Sequence, residues 1–172
     1  MQFELTNDFL EELQEDIARL DSDTVSAKVG QLHPVDIAEI LDEVNLVEAR
    51  FIFNLLDDEL GSEVLVELDE DVRERFLASL TDEEIAEYVD QLDTDDAADI
   101  IGELPEDRQE DVLAQVDDDE QASDIAQLLA YDEDTAGGIM AKELIKVNVN
   151  WPIAICVREM RKQAEEVDKV YS

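Results

Sequence analysis

The sequence predicts an all-α fold: a right-handed superhelix (solenoid) of short helices, followed by an incomplete α/β segment. Three observations lead there: the composition, a twelve-residue repeat, and a break in charge and pattern near residue 139. Hydrophobic residues make up 45 % of the chain, too many for an acidic disordered tail. Aromatics make up only 5 %, with 5 Gly and 3 Pro, so the apolar content is aliphatic and favours helices over a sandwich or barrel.

The repeat shows when the chain is cut into twelves from His33. Units begin at His33, Asn45, Asp57, Asp69, Thr81, Asp93 and Pro105. In all of them positions eight, nine and twelve are apolar, from Ile40/Leu41/Val44 through Phe76/Leu77/Leu80 and Ile100/Ile101/Leu104 to Val112/Leu113/Val116. An eighth unit from Asp117 continues with a one-residue slip (Ile125, Leu128, Leu129). Such self-similarity marks a repeat architecture. Most units open on a capping residue followed by acids, which the helix dipole favours, and Thr81 and Glu84 have capping-box spacing. Twelve residues leave about nine for the helix, too few for stability alone, so neighbouring units must stack. Each buried aliphatic side chain contributes roughly 1.5–3 kcal/mol, and three per unit offset much of the ordering cost. Before the repeat, residues 1–32 read as a helix from Asp8 to Leu20 and a short second one ending near Gly30.

After Gly137-Gly138 the pattern changes. Ile145, Val147 and Val149 alternate with Lys146 and Asn148, the period of a strand over Leu144–Val149. Pro152 suits a first helical turn, and Ile153–Glu166 reads as one amphipathic helix with an apolar stripe at Ile153, Val157 and Met160.

Net charge is −37, and residues 1–139 carry all of it, with 44 acids against 6 bases; residues 140–172 hold 5 acids and 6 bases. The acidic part should repel nucleic acid and anionic membranes and attract divalent cations. The longest apolar run, Phe51–Leu56, is far short of a membrane span, the N-terminus lacks a signal-peptide pattern, and the lone Cys156 fits a reducing compartment. A cytoplasmic location is expected. No phosphate loop, nucleophile elbow or Ser/His/Asp grouping is present, so an enzyme is not expected.

Among local motifs, Asp132–Glu143 approaches a calcium-binding EF-hand loop. Position five is Ala136, and a strand pattern follows where a helix is required, so an acidic linker with a Gly-Gly hinge is the better reading. Asp95 and Asp99 are four apart and share a helix face. The spacing alone favours a solvated acidic face over a metal site, and the same holds for Glu63, Glu67 and Asp117–Asp119. His33 belongs to a helix start, Trp151 to packing, and Cys156 to the buried face of the last helix.

Three blocks carry a family likeness: Leu32–Leu41 (LHPVDIAEIL), Asp93–Asp99 (DTDDAAD) and Tyr131–Met140 (YDEDTAGGIM). In this order they resemble the cytosolic N-terminal half of MgtE-type magnesium transporters, across nearly the whole chain. The resemblance implies an acidic helical-repeat N domain over 1–138. It also implies a truncated first CBS domain, strand plus helix, over 139–172, which stops where the next core strand would begin. Pro152, Ile155 and Cys156 depart from the polar or small residues usual in that helix. It further implies a Mg²⁺ sensor: ions between N-domain and CBS carboxylates hold a closed state at high Mg²⁺, and charge repulsion releases the pore when Mg²⁺ falls. The ligands implied are Glu63, Asp95 and Asp99, with the carbonyl of Gly138 near an ion, which reverses the reading of the Asp95/Asp99 pair. The partners implied are the remaining CBS and membrane domains of the full-length protein, a homodimer in a plasma (inner) membrane, with no nucleic acid. The competing class is a non-catalytic interaction scaffold, such as a flagellar motor switch protein built from similarly short helices. The Ala-Gly-Gly-Ile-Met junction argues against it.

Overall fold

The helix starts fall on the repeat. In the computed structural model, which describes residues 3–131, 135–137, 140, 142 and 147–163, the N-caps from the third to the ninth helix are His33, Asn45, Asp57, Asp69, Thr81, Asp93 and Pro105. Each is twelve residues after the last. The elements are α1 (Asn7–Ala18), α2 (Ser22–Val29), α3 (Pro34–Glu43), α4 (Leu46–Phe53), α5 (Asp58–Glu67) and α6 (Glu70–Leu77). Then follow α7 (Asp82–Val89), α8 (Thr94–Gly102), α9 (Glu106–Leu113), α10 (Asp119–Leu128) and α11 (Ile153–Gln163). Asp118, the N-cap of α10, comes thirteen residues after Pro105, so the slip lies at that junction. Among the described residues every regular element is a helix.

Local chemistry explains the starts. The Asn45 side chain accepts the N–H groups of Val47 and Glu48 while Glu48 accepts the Asn45 N–H, a reciprocal capping box. The Thr81/Glu84 pair does the same, as expected from its spacing. Asp57 and Asp69 cap singly. Before the repeat, α1 ends in a Schellman turn: Asp21 N–H bonds the Asp16 carbonyl and Leu20 N–H the Ile17 carbonyl. Leu20 occupies the left-handed position at φ 55°, where glycine is the usual residue.

Packing runs between alternate helices: α3 on α5, α5 on α7, α7 on α9, and α8 on α10. The residues at positions eight, nine and twelve of every unit are buried or half-buried, and they form one continuous core. Position five is a fourth core position, occupied by Ile37, Ala49, Gly61, Ile85 and Ala97. At Gly61 a Cβ would sit 3.0 Å from the Tyr88 ring, so α5 approaches α7 closely there. Phe53 packs edge-on against both Phe76 and Tyr88, with ring centroids 4.7 and 5.0 Å apart.

Helices this short leave a large share of their carbonyls unpaired at the C-terminus. Side chains from other units supply donors. At position five of the fourth unit, Arg73 donates to the carbonyls of Val66 (3.1 Å) and Leu68 (3.4 Å), and its Nε donates to Glu103 at 2.9 Å. At position five of the seventh unit, Gln109 reaches the equivalent carbonyls of Gly102 (3.4 Å) and Leu104 (2.7 Å). Arg108 reaches further back, to Leu77 (3.2 Å) and Leu80 (2.9 Å), while its Nε donates to Asp82 at 2.7 Å. Gln121, on α10, treats Val89 (3.2 Å) and Leu92 (3.1 Å) in the same way. Arg50 donates to the Ser79 carbonyl and to Glu84.

The C-terminal segment departs from expectation in part. Leu144, Ile145 and Lys146 lie outside the described residues, but Val147 and Asn148 have no regular structure and Val149 and Asn150 form a turn. A strand needs a neighbour to satisfy its ladder groups, and the described residues, all helical in their regular elements, present none. The amphipathic helix is present as α11, with residues 164–166 of the expected span outside the described set. None of its residues is buried; Ile153, Val157 and Met160 are exposed. Cys156, expected to be buried, is half-exposed, because no described residue fully covers the face it occupies. Trp151 lies just before α11, also exposed, and its N–H bonds the Asn148 carbonyl.

Two stability outcomes follow. Leu77→Ala or Ile101→Ala should cost about 2–5 kcal/mol in denaturant melts, whereas Glu74→Ala, on the exposed face, should stay within about 0.5 kcal/mol. Arg73→Ala should cost about 2–4 kcal/mol, because it leaves the α5 carbonyls and the Glu103 carboxylate without their donor.

Candidate functional site

The repeat places carboxylates outward because its core positions are all inward. On α5, Glu59, Glu63 and Glu67 follow one another at four-residue spacing and form one acidic stripe. The stripe borders a groove of about 290 Å³, also lined by Pro34, Val66, Gln91, Leu92, Asp93 and Asp96. Glu63 therefore faces the start of α8.

α8 is built to carry acids. Asp93 is its N-cap, and Asp95 and Asp96 stand in the first turn, where the helix dipole favours negative charge. Thr94, Ala97, Ala98, Ile100 and Ile101 are its buried face. Asp95 is half-buried and Asp99, one turn on, is exposed. Asp99 lines a second depression of about 170 Å³, bounded by Ala98, Gly102, Gln109, Leu128, Leu129 and Tyr131. It also stands in the field of Arg73. The hydrogen bond to Glu103 holds the Arg73 guanidinium above its ordinary pKa against the opposing effect of burial, and the charges of Glu103, Asp99 and Glu70 add to this.

The structure thus keeps Asp95 and Asp99 on one helix but sets Glu63 and Asp99 in separate depressions. Gly138 lies outside the described residues, as does most of the Asp132–Glu143 stretch. Among the described residues no three His, Cys, Asp or Glu side chains converge closely enough to hold a metal. The carboxylates suit a hard cation in chemistry, yet each can supply only one or two ligands. Sequence reading missed Glu59, Asp93 and Asp96 as neighbours of Glu63. The i, i+4, i+8 spacing of the three glutamates was the available signal for Glu59. The approach of α5 to the start of α8 is tertiary and left none.

Like-charge crowding is visible between α7 and α10. The Asp90 carboxylate accepts the Asp117 N–H at 3.1 and 3.3 Å. Burial nevertheless pushes its pKa up; the Asp117 N–H opposes this, and the charges of Asp117 and Asp118 add to the rise.

Compared with known proteins, residues 32–134 match the MgtE intracellular N domain. Two solved structures are similar in fold. The soluble part of a magnesium transporter shares 20 % identity at a TM-score of 0.76, over 94 % of this chain and 64 % of that one. The cytosolic domain of the Mg²⁺ channel MgtE in complex with ATP shares 24 % identity at a TM-score of 0.83, over 94 % of this chain and 66 % of that one. The chain therefore spans less than two thirds of either structure's length. No curated protein matches it.

The Asp90 environment gives a pH test. A carboxyl whose folded pKa is raised costs stability above that pKa, and the cost vanishes below the unfolded value near 3.8. Asp90→Asn, which keeps an acceptor oxygen for the Asp117 N–H, should raise the melting temperature at pH 7. The gap from the parent should close as pH falls towards 3.5, as followed by thermal melts across that range.

Proposed function

The chain belongs to the MgtE intracellular N-domain family, and from that premise we propose that it is the cytosolic Mg²⁺-sensing regulatory region of a magnesium transporter. On this reading, residues 1–138 are the acidic sensor domain and residues 139–172 begin the first CBS domain. The remaining CBS and membrane domains of a dimeric, full-length protein in the plasma membrane are its partners. The observation that carries the proposal is the pair of acidic surfaces on α5 and α8, which hold Glu63, Asp95 and Asp99 in neighbouring but separate places on helices without a single basic residue.

The physics of such a sensor follows from those surfaces. Mg²⁺ is a hard cation that takes one or two carboxylates and keeps several waters. Carboxylates that form no closed cage on one domain suit ions shared with a second acidic surface. With ions present, the two surfaces attract one another through the cation. Without them, like charges repel across a distance comparable to the Debye length, about 8–10 Å at physiological salt. Glu63, Asp95, Asp99 and the Gly138 carbonyl are the ligands proposed on this side. The role is regulatory and involves no catalytic step.

The test is thermal stability in Mg²⁺ against sodium chloride of matched ionic strength. Screening stabilises an acidic chain in either salt; a bound ion adds RT ln(1 + [L]/Kd). At ten times Kd that is about 1.4 kcal/mol, several degrees in Tm. With so few ligands on one domain, binding on the order of millimolar or weaker is expected. Asp95→Asn combined with Asp99→Asn should remove most of the excess stabilisation. An unchanged Mg²⁺ response in that double variant would show that the charge acts diffusely.

A further inference from the structure

The pair α8 and α10 carries Asp95, Asp96, Asp99, Asp119, Glu120 and Asp124 and no base. A cation that stands on this pair comes from beyond it in sequence. The Lys142 Nζ donates to Asp124 Oδ1 at 3.1 Å and to Gln127 Oε1 at 2.7 Å, both on α10. The Lys142 backbone N–H donates to Thr94 Oγ1 at 3.1 Å, and Thr94 is the buried first residue of α8. One residue thus touches both helices, with its side chain only 17 % exposed. Between α10 and Lys142 there is one more close contact: the Tyr131 ring lies against Gly137, where a Cβ would come within 2.5 Å of it.

We propose that Lys142 is a tethered counter-ion: its ammonium stands on Asp124 of α10 in place of a diffusible cation while its backbone N–H bonds Thr94, and so it clasps α10 to the helix that bears Asp95 and Asp99. The clasp depends on charge. An acidic face without bases of its own attracts any cation, and a lysine fixed to the chain is present at high effective concentration. A divalent ion arriving on α8 meets that ammonium as a like charge. Lys142 therefore both ties α10 to α8 and sets the cation concentration at which the face fills. This second role rests on the sensing function proposed above, whereas the clasp itself does not.

The experiment uses the whole chain and two readouts, amide hydrogen exchange at position 142 and the Mg²⁺ midpoint of the thermal shift. In the parent, the position-142 amide should exchange at least about tenfold more slowly than an open amide, because it is bonded to Thr94. Lys142→Met and, independently, Asp124→Asn should abolish that protection, while Lys142→Arg keeps it. Unchanged protection in both Lys142→Met and Asp124→Asn overturns the clasp. Lys142→Met should also lower the Mg²⁺ midpoint by about two- to fivefold, the size expected when a unit charge leaves the neighbourhood of a divalent ion in high dielectric. A midpoint that stays or rises while protection is lost overturns the competition, since a merely structural tie would weaken the site. If the parent shows no Mg²⁺ response beyond sodium chloride, the sensing reading fails, and the exchange readout alone decides the clasp.

Discussion

Carbonyl capping across units is the constraint on which this fold depends. Helices of eight to ten residues commit about four carbonyls each to no intrahelical partner, a debt that long helices dilute and short ones cannot. Apolar stacking supplies the driving force, but stacking alone would bury unpaired acceptors at each helix end. Arg73, Arg108, Gln109 and Gln121 resolve this. Two of them reach the preceding unit, and two reach three units back. The second kind also ties together units three apart in the repeat.

This use of arginine shapes the electrostatics. Residues 1–139 contain only 6 bases, and Arg50, Arg73 and Arg108 are spent inside the stack, on carbonyls and single carboxylates. The outer face is left mainly to acids, with Arg19 and Arg75 as exposed bases among them. The same sequence economy that ties the helices together thus produces the surface a cation would recognise; self-repulsion is a cost, and at Asp90 it adds to the larger effect of burial in raising the pKa.

Much of this was legible in the sequence. The unit starts of the repeat frame coincide with the N-caps of α3 to α9, and Thr81 with Glu84 gave its capping box, because both rest on contacts within four residues. Positions eight, nine and twelve were legible because a twelve-residue period samples the helix face regularly. Position five was not: Ile37 and Ala49 share it with Arg73 and Gln109, so no hydropathy rule sees it. Asp95 and Asp99 could be placed on one face, but the separation of Glu63 from Asp99 depends on how α5 and α8 cross. Lys142 was invisible as a contact, because its acceptors lie as far away as Thr94. The strand period around Val147 was a property of the residues that the described backbone does not adopt, since pairing is supplied by a neighbour.

Trp151 carries one more consequence. It is the chain's single tryptophan, and it stands outside the helical stack, just ahead of α11. Its emission therefore reports the C-terminal segment and is nearly blind to melting of the repeat. The buried aromatic cluster of Phe53, Phe76 and Tyr88 supplies the stack with its own near-ultraviolet dichroic signal. The two halves of the molecule are spectroscopically separate by construction, so their motions can be followed in one cuvette without attaching a label to either.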